Sequence, residues 1–178
     1  HGLTLRDTNA LKTNLGLDIA PCRFNPPGDR MPMDVFIREV LDTEGRLYTK
    51  ASFAERKPGA LFEYSNVGAT LAALVVQYAT GEAFDAFTGK HILQPLGMSS
   101  SGWGLDAITL ADHSRLYRTR TDPFPWYQWN TYPDGAMITS SRDMAKYMVE
   151  LVRGFKGHGT LLTKQSYAEY FTPQLKAE

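Results

Sequence analysis

The chain has 178 residues and a mass of 19.9 kDa, a size that suits a single domain with its own hydrophobic core. Nineteen basic and nineteen acidic residues cancel, so the overall charge does not favour nucleic acid or an anionic membrane as a partner. Cys22 is the single cysteine, which excludes an internal disulfide and a metal site built on several cysteines. The balanced charge suits a small-molecule partner better, and no apolar run reaches the roughly 20 residues of a membrane span, so no span is expected.

The first part of the chain is predicted to be loop followed by a short helix. Residues 1–33 are interpreted as mostly loop, because the segment NPPG at 25–28 joins prolines, which fix φ, to a glycine, which relaxes it. From Asp34, apolar residues at helical spacing predict an amphipathic helix that ends at Gly45. Its inward residues are predicted to be Val35, Phe36, Val40 and Leu41.

The most regular helical pattern follows between residues 67 and 81. Gly81 is expected to end this helix, and Ser65 or Asn66 to cap its start by accepting hydrogen bonds from free backbone N–H groups. Its apolar positions are Val67, Leu71, Leu74, Val75 and Tyr78. A second helix over 82–91, with Phe84 and Phe87 inward, is predicted to complete a helical hairpin.

The second half of the chain is predicted to be a long surface excursion and two more helices. Residues 99–135 are rich in Ser, Gly, Pro and aromatic side chains and show no sustained period. Ser140 and Asp143 resemble a capping box at the start of the next helix. The apolar face of that helix is predicted to consist of Met144, Tyr147, Met148 and Leu151. The last helix, from Thr163 to Pro173, is predicted to bury Tyr167, Tyr170 and Phe171.

Several general signatures of enzymes are absent from the sequence. It contains no Gly-x-Ser-x-Gly, no phosphate-binding Gly-rich loop and no His-Glu-x-x-His. The four histidines are too scattered to propose as metal ligands. The sequence therefore predicts neither a metal site nor a cofactor.

Four segments in a fixed order carry a resemblance to one family. They are KPGALFEYSNVG at 57–68, TGEAF at 80–84, ILQPLGM at 92–98 and AMITSSRDMA at 136–145. This order resembles the superfamily of serine β-lactamases, penicillin-binding proteins, D-alanyl-D-alanine carboxypeptidases and esterases, in its class C-like branch. The resemblance implies a mainly α chain. It would be the helical subdomain of the β-lactamase-like α/β fold, in which helices flank an antiparallel sheet, with residues 1–178 as one domain and a helical lobe at 34–178.

The resemblance implies roles for two residues of the Tyr-x-Asn motif. In the family a serine attacks a carbonyl to form an acyl-enzyme, a lysine three residues later assists, and a tyrosine relays protons. Tyr64 takes the relay role by resemblance, and Asn66 would donate its amide to the substrate carbonyl or to the lysine. The structural alternative is that Tyr64 packs at a helix entrance and that Asn66 is an N-cap.

Two other family elements are missing from residues 1–178. No serine or threonine has a lysine three positions later, and neither Lys-Thr-Gly nor His-x-Gly occurs. The resemblance therefore predicts that the chain starts just past the nucleophile and ends before the last strands. We expect part of a serine hydrolase that acts on a β-lactam, a D-Ala-D-Ala peptide or a small ester and that is inactive alone. The alternative is a non-catalytic binding or structural module.

An aromatic segment stands out within the surface excursion. Its residues are Phe124, Trp126, Tyr127, Trp129 and Tyr132. Large rings with a polar edge can wall a substrate cleft, so Trp126, Tyr127, Trp129 and Tyr132 are candidate substrate-binding residues. The alternative, that the loop fills its own small core, stays open.

Partners and location follow from the resemblance and from exposed apolar surface. An isolated helical part would expose the face that its other half covers, so we expect self-association near Phe62 and the ends of the 67–79 helix. The resemblance favours a periplasmic or secreted protein, while the sequence itself leaves the compartment undetermined.

Overall fold

The computed structural model describes residues 4–5, 28, 30–57, 60, 63–123 and 126–174. Helices are the longest regular elements of this part. They are α1 (Met33–Leu41), α2 (Asn66–Thr80), α3 (Phe84–Thr88), α4 (Ser141–Phe155) and α5 (Lys164–Tyr170). Shorter helical turns lie at Lys50–Ser52, Leu105–Ala107, Leu110–Asp112 and Tyr132–Asp134, and a π-helical turn lies at Gly89–Leu93.

Within the described ranges, six strands of two or three residues form three small antiparallel ladders. They are β1 (Thr4–Leu5), β2 (Phe53–Ala54), β3 (Gly102–Trp103), β4 (Tyr117–Thr119), β5 (Asp122–Pro123) and β6 (Met137–Ile138). β1 pairs with β2, β3 with β6, and β4 with β5. The prediction of a mainly helical chain is therefore confirmed only in part, because these ladders tie distant segments together.

The core lies where α1 and α2 meet the turn at 132–134. It consists of Met33, Phe36, Ile37, Val40, Val67, Ala73, Leu74 and Tyr132. On α1 the buried residues follow the i, i+3, i+4, i+7 spacing of a single helix face. Val35, which was predicted to point inward, is exposed, and Ile37 takes its place in the core. The prediction was wrong at Val35, because Val35 lies off the face that carries Met33, Phe36, Ile37 and Val40 at helical spacing.

Helix α2 has the predicted ends and a buried face that was predicted in part. Ser65 is the N-cap, and Gly81 ends the helix in the left-handed region at φ 71°. Val67 and Leu74 are buried as predicted, and Thr70 and Ala73 are buried beside them. Val75 and Tyr78 were predicted to be inward but are exposed, Tyr78 by 67%. A pattern of large apolar residues does not include the threonine and the alanine that complete the inner face.

The predicted hairpin of helices is present, although its second arm is irregular. α2 contacts α3, and α3 passes directly into the π-helical turn at Gly89–Leu93 instead of continuing as one helix over 82–91. Phe84 packs inward as predicted, with its ring centroid 5.5 Å from that of Trp103 and 6.2 Å from that of Tyr132. Phe87 is half-buried against His91.

The predicted apolar faces of α4 and α5 are confirmed at Tyr167 and wrong at four other positions. The buried residues of α4 are Asp143, Glu150 and Gly154, whereas Met144 and Met148 are exposed. On α5 Tyr167 is buried, and Tyr170 and the adjacent Phe171 are exposed. Within the described part, the Tyr167 hydroxyl donates to the buried Glu150 carboxylate and joins the two helices, a contact that hydrophobic periodicity does not predict.

Two predictions of loop structure concern the start and the middle of the chain. The expectation that residues 1–33 are mostly loop stays a prediction, because 1–3, 6–27 and 29 lie outside the described residues, although Thr4–Leu5 is a strand and Met33 begins α1. Residues 99–135 were expected to lie on the surface, but Leu105 and Tyr132 are buried. Long-range contacts that a local pattern does not encode cause this difference.

Candidate functional site

Tyr64 lies at the surface immediately before helix α2. Its side chain is 57% exposed, and its hydroxyl donates to the backbone carbonyl of Asp134 at 3.5 Å. That distance is at the outer limit of a hydrogen bond, since O–H···O bonds usually measure about 2.5–3.0 Å. The phenol is therefore accessible and only weakly held.

Asn66 is the first residue of α2 and not its cap. The Ser65 hydroxyl accepts the hydrogen bond from the Gly68 N–H at 3.0 Å, which is the capping interaction. The alternative in which Asn66 is an N-cap is thus wrong. Within the part of the chain that the structure describes, the Asn66 amide makes no hydrogen bond, and its backbone carbonyl accepts from the Thr70 hydroxyl at 3.0 Å. Its amide remains available to a ligand.

The turn at 132–134 connects this motif to the aromatic segment. The turn packs against α2, and its last residue, Asp134, provides the carbonyl that Tyr64 contacts. Tyr132, the first residue of the turn, and Gly135, the residue after it, line a cavity of about 280 Å³. Trp126, Tyr127 and Trp129 line the same cavity. The structure thus gathers the four candidate aromatic residues around one space, while Tyr64 and Asn66 lie beside its wall and not in it.

Tyr132 and Trp129 belong to the core as well as to the cavity. Tyr132 is 4% exposed, and Trp129 packs against the same cluster. Burial, helped by the nearby Asp85 carboxylate and opposed by Arg30, raises the pKa of Tyr132 to about 12, so its phenol is neutral at physiological pH. Tyr132 and Trp129 therefore pack in or against the core and also line the cavity, while the substrate-binding role of the segment stays a prediction. Phe124 lies outside the described residues.

Basic residues on the same cavity were not predicted. The Arg30 guanidinium lies 4.1 Å from the centroid of the Tyr132 ring, and that of Arg115 lies 4.4 Å from the centroid of the Trp126 ring. His113 meets Trp126 edge-on, with centroids 5.1 Å apart. The sequence HSRLYRTR at 113–120 could have indicated this cluster, because it places three arginines directly before the aromatic segment.

The buried carboxylate of Asp143 lies on α4, away from the tyrosine motif. The Asp143 carboxylate accepts from the Ser100 N–H at 2.7 Å, from the Ser101 hydroxyl at 2.8 Å and from Lys146 at 2.8 Å. The hydrogen bond from Lys146, with those from Ser101 and Ser100, lowers the pKa of Asp143 despite burial. This carboxylate therefore joins the segment after QPLGM to α4, and the predicted capping box keeps only its Ser140 half, in which Ser140 accepts from the Asp143 N–H at 3.2 Å.

Among the described residues, no group of three or more His, Cys, Asp or Glu side chains is arranged to hold a metal ion. No helix in the described ranges has the length and apolar character needed to cross a membrane.

Comparison with known proteins relates this geometry to one family. The family model named Beta-lactamase matches residues 26–177. A human protein named beta-lactamase-like 1 is 29% identical over 99 residues, which is 54% of this chain and 20% of that protein. The crystal structure of a penicillin-binding protein from Bacillus halodurans matches 98% of this chain and 49% of its own, with a TM-score of 0.63 and 21% identity.

A second solved structure gives the same result. A D-stereospecific amidohydrolase from Streptomyces sp. matches 93% of this chain and 48% of its own, with a TM-score of 0.64 and 18% identity. The chain thus spans about half the length of these two structures and a fifth of the human relative. The matched segment of the family model contains all four sequence segments that resemble the serine β-lactamases. The chain belongs to the beta-lactamase family.

Proposed function

We propose that this chain is the tyrosine-bearing part of a serine hydrolase that forms an acyl-enzyme with a β-lactam, a D-Ala-D-Ala peptide or a small ester. The observation that carries the proposal is the position of Tyr64. Its phenol is exposed and weakly held beside the turn that forms a wall of the aromatic cavity. A group that relays protons must be free to reach the reacting atoms, and an exposed phenol beside the cavity wall, although not part of it, supports this role.

Tyr64 and Asn66 have separate roles in the proposed reaction. The Tyr64 hydroxyl passes a proton between the nucleophilic serine and the leaving group. The Asn66 amide, which the Ser65 cap leaves uncommitted, donates to the substrate carbonyl or to the activating lysine. Tyr64 directly precedes the Ser65 cap and Asn66 is the first residue of α2, so the start of this helix places the two side chains near each other.

The nucleophile is proposed to come from sequence outside residues 1–178. Within these residues no serine or threonine precedes a lysine by three positions. The chain spans about half the length of the amidohydrolase and the penicillin-binding protein that it matches. We therefore expect the 178-residue chain alone to form no covalent adduct with a fluorescent penicillin or a fluorophosphonate, as judged by intact mass. A stoichiometric serine adduct would show that this chain carries its own nucleophile.

The test of the central assignment is Tyr64→Phe in the complete gene product. General acid and base groups contribute roughly a hundred- to ten-thousand-fold in rate, so kcat should fall by about that factor. Only one weak hydrogen bond is lost, so the free energy of unfolding should change by less than about 1 kcal/mol. Tyr78 is another exposed tyrosine and lies on α2. Tyr78→Phe is therefore the matched control, and it should leave both kcat and the free energy of unfolding unchanged.

The opposite outcome would assign Tyr64 to the scaffold. Unchanged kcat with a lowered melting temperature would mean that its hydroxyl supports the fold and not the reaction. The second candidate, a non-catalytic module, is favoured by the missing Ser-x-x-Lys within residues 1–178. The reading frame before His1 distinguishes the two, since a Ser-x-x-Lys there supports the enzyme and its absence supports the binding module.

A further inference from the structure

The residues just before helix α1 contact the segment that leads into the turn at 132–134. The Met31 N–H donates to the side-chain oxygen of Asn130 at 2.9 Å, and the Arg30 guanidinium lies 4.1 Å from the centroid of the Tyr132 ring. Asn130 and Tyr132 are each 4% exposed. Residues about a hundred positions earlier in the chain therefore hold the start of this turn inside the fold.

The Arg30 guanidinium also joins the turn to helix α3. It forms an ion pair with Asp85 of that helix at 3.6 Å. A planar guanidinium can stack its face on an aromatic ring and donate from its edge to a carboxylate. The Tyr132 ring has further contacts with Phe84 and Trp103, with centroids 6.2 and 5.8 Å apart. Loss of Arg30 should therefore loosen the Tyr132 ring without emptying its place in the core.

The far end of the turn reaches the tyrosine motif. The turn packs against α2, and its last residue, Asp134, provides the backbone carbonyl to which the Tyr64 hydroxyl donates at 3.5 Å. The Asp134 N–H donates to the Thr131 carbonyl at 3.1 Å, and the Ala136 N–H donates to the Tyr132 carbonyl at 2.9 Å, so the turn is closed by its own hydrogen bonds. A displacement of Tyr132 therefore moves the carbonyl that Tyr64 contacts.

The contact between Tyr64 and the turn is long, so Tyr64 adds little to the stability of the turn. The position of the Asp134 carbonyl depends instead on the residues that hold Tyr132. We propose that Arg30 is a positioning residue that sets the place of the Tyr64 hydroxyl through the turn at 132–134. The inference rests on the proposed function, because it concerns the proton relay of Tyr64.

The catalytic test is a double-mutant cycle in the complete gene product. Wild type, Arg30→Gln, Tyr64→Phe and the combined variant are assayed with a chromogenic cephalosporin, a D-Ala-D-Ala peptide and p-nitrophenyl butyrate. A small displacement of a catalytic group is costly in rate, so Arg30→Gln should lower kcat about tenfold and change KM by less than about twofold. In Tyr64→Phe the same substitution should leave kcat unchanged, because the hydroxyl through which Arg30 acts is absent.

The cycle separates this role from two others. Arg30 also lines the aromatic cavity, and direct contact with the substrate there would raise KM whether or not the Tyr64 hydroxyl is present. A role in stability alone would lower the melting temperature and reduce activity by the same factor in both backgrounds. Only a role that acts through Tyr64 lowers kcat in wild type and not in Tyr64→Phe.

Amide hydrogen exchange in the same protein tests the structural step. Arg30→Gln should speed exchange severalfold at Asp134 and Ala136, because their N–H groups close the turn. Exchange at Gly68 should stay as in wild type, because the Ser65 hydroxyl holds that N–H independently of the turn.

Three further variants separate charge from stacking. Arg30→Lys keeps a charge for Asp85 but lacks a planar group to stack on Tyr132, so its kcat should lie between those of wild type and Arg30→Gln. Asp85→Asn removes the ion pair and keeps the stacked guanidinium. It should give a smaller loss of kcat that again disappears in Tyr64→Phe, and it serves as the test if Arg30→Gln does not fold.

Arg46→Gln is the matched control. Arg46 also pairs with an acid, Glu39, at 3.3 Å, but it does not line the cavity. This substitution should change neither kcat nor exchange at the turn.

An equal loss of kcat from Arg30→Gln with and without the Tyr64 hydroxyl would overturn the proposal. Unchanged kcat in Arg30→Gln, or unchanged exchange at the turn, would do the same. A failure of the proposed function gives a different pattern. Unchanged kcat in Tyr64→Phe would refute the relay and with it the role of Arg30, whereas a loss in Tyr64→Phe without any effect of Arg30→Gln would retain the relay and refute Arg30 alone.

Discussion

Glu150 shows how one buried carboxylate can hold two helices together. It is 3% exposed, and its Oε1 atom accepts hydrogen bonds from the Tyr167 hydroxyl at 2.6 Å, the Leu161 N–H at 2.9 Å, and the Thr160 N–H and hydroxyl. Burial by itself would raise the pKa of this carboxyl, but these donors outweigh it and lower the pKa to about 2. The ionised form of Glu150 therefore stabilises the junction between α4 and α5.

The contribution of Glu150 to stability should depend on pH in a defined direction. Its pKa is lower in the folded chain than the usual value of about 4.3 in an unfolded chain, so its ionised form stabilises the fold above about pH 4.3. This stabilisation is lost as the pH falls from about 4.3 toward 2. Glu150→Gln should lower the free energy of unfolding by about 1–3 kcal/mol at neutral pH. It should also flatten the acid dependence of the melting temperature over this range.

Tyr167→Phe is the matched variant, because it removes one donor to Glu150 and keeps the ring. A Cβ placed on Gly154 or Gly159 would overlap this ring, so the packing around it is tight and the phenylalanine should preserve it. We expect a smaller loss of stability than in Glu150→Gln, with the acid transition shifted to higher pH because the carboxylate is held less strongly. Parallel melting curves of wild type and Glu150→Gln between pH 2 and 5 would contradict the assignment.

The helix starts are the most local elements of the fold. Ser65, Ser140 and Thr163 each accept a hydrogen bond from the backbone N–H three residues later, at 3.0, 3.2 and 3.1 Å. Such a cap satisfies a backbone donor that the helix cannot pair by itself. The cap at Ser65 differs from the others because it separates the two residues of the tyrosine motif and leaves the Asn66 amide uncommitted.

Removal of the Ser65 cap should loosen the candidate site before it unfolds the chain. Ser65→Ala should cost about 1 kcal/mol of stability. It should speed amide hydrogen exchange at the first turn of α2, because the Gly68 N–H loses its partner. Ser140→Ala is the control at α4 and should speed exchange only near Asp143. Equal exchange at Gly68 in wild type and Ser65→Ala would show that the cap does not hold this helix start.

Exposed apolar side chains of α4, α5 and the adjacent Phe171 lie together on one surface. Phe155 is 72% exposed and stands edge-on to Phe171 at 5.3 Å between centroids, and Tyr170 meets Phe171 at 5.1 Å. Met148 and Val152 extend the same surface along α4. Contiguous apolar surface of this kind is typical of an interaction site. This surface differs from the region predicted for self-association. That region consists of Phe62, which is outside the described residues, and the ends of the 67–79 helix.

The 178-residue chain is expected to self-associate through one of these two surfaces. Sedimentation velocity at rising concentration should show a shift toward larger species. Phe155→Asp should weaken self-association if the surface of α4 and α5 is the contact. Tyr78→Asp should weaken self-association if the exposed end of α2 is the contact. A charge in a desolvated interface is unfavourable, so only the substitution at the true contact should act. A monomer at every concentration, without binding of a dye for apolar surface, would contradict the expectation.

The sequence by itself determined the features of this protein that depend on a few neighbouring residues. The tyrosine motif at the start of α2, the serine caps and the Gly81 stop were predictable, because capping hydrogen bonds and left-handed glycine conformations are local. The order of four segments also indicated the family that the comparison then established.

Only the tertiary structure decided which faces are buried and where the cavity lies. The Met31 N–H donates to the Asn130 side chain at 2.9 Å, and Arg30 stacks on Tyr132, so the cavity depends on residues about a hundred positions apart. Thr70 is buried although it is polar, because its hydroxyl donates to the Asn66 carbonyl. Glu150 is buried because its carboxylate accepts from the Thr160 and Leu161 N–H groups. Periodicity in hydrophobicity carries no information about such partners, and this is the physical reason why the buried faces of α2 and α4 could not be predicted in full.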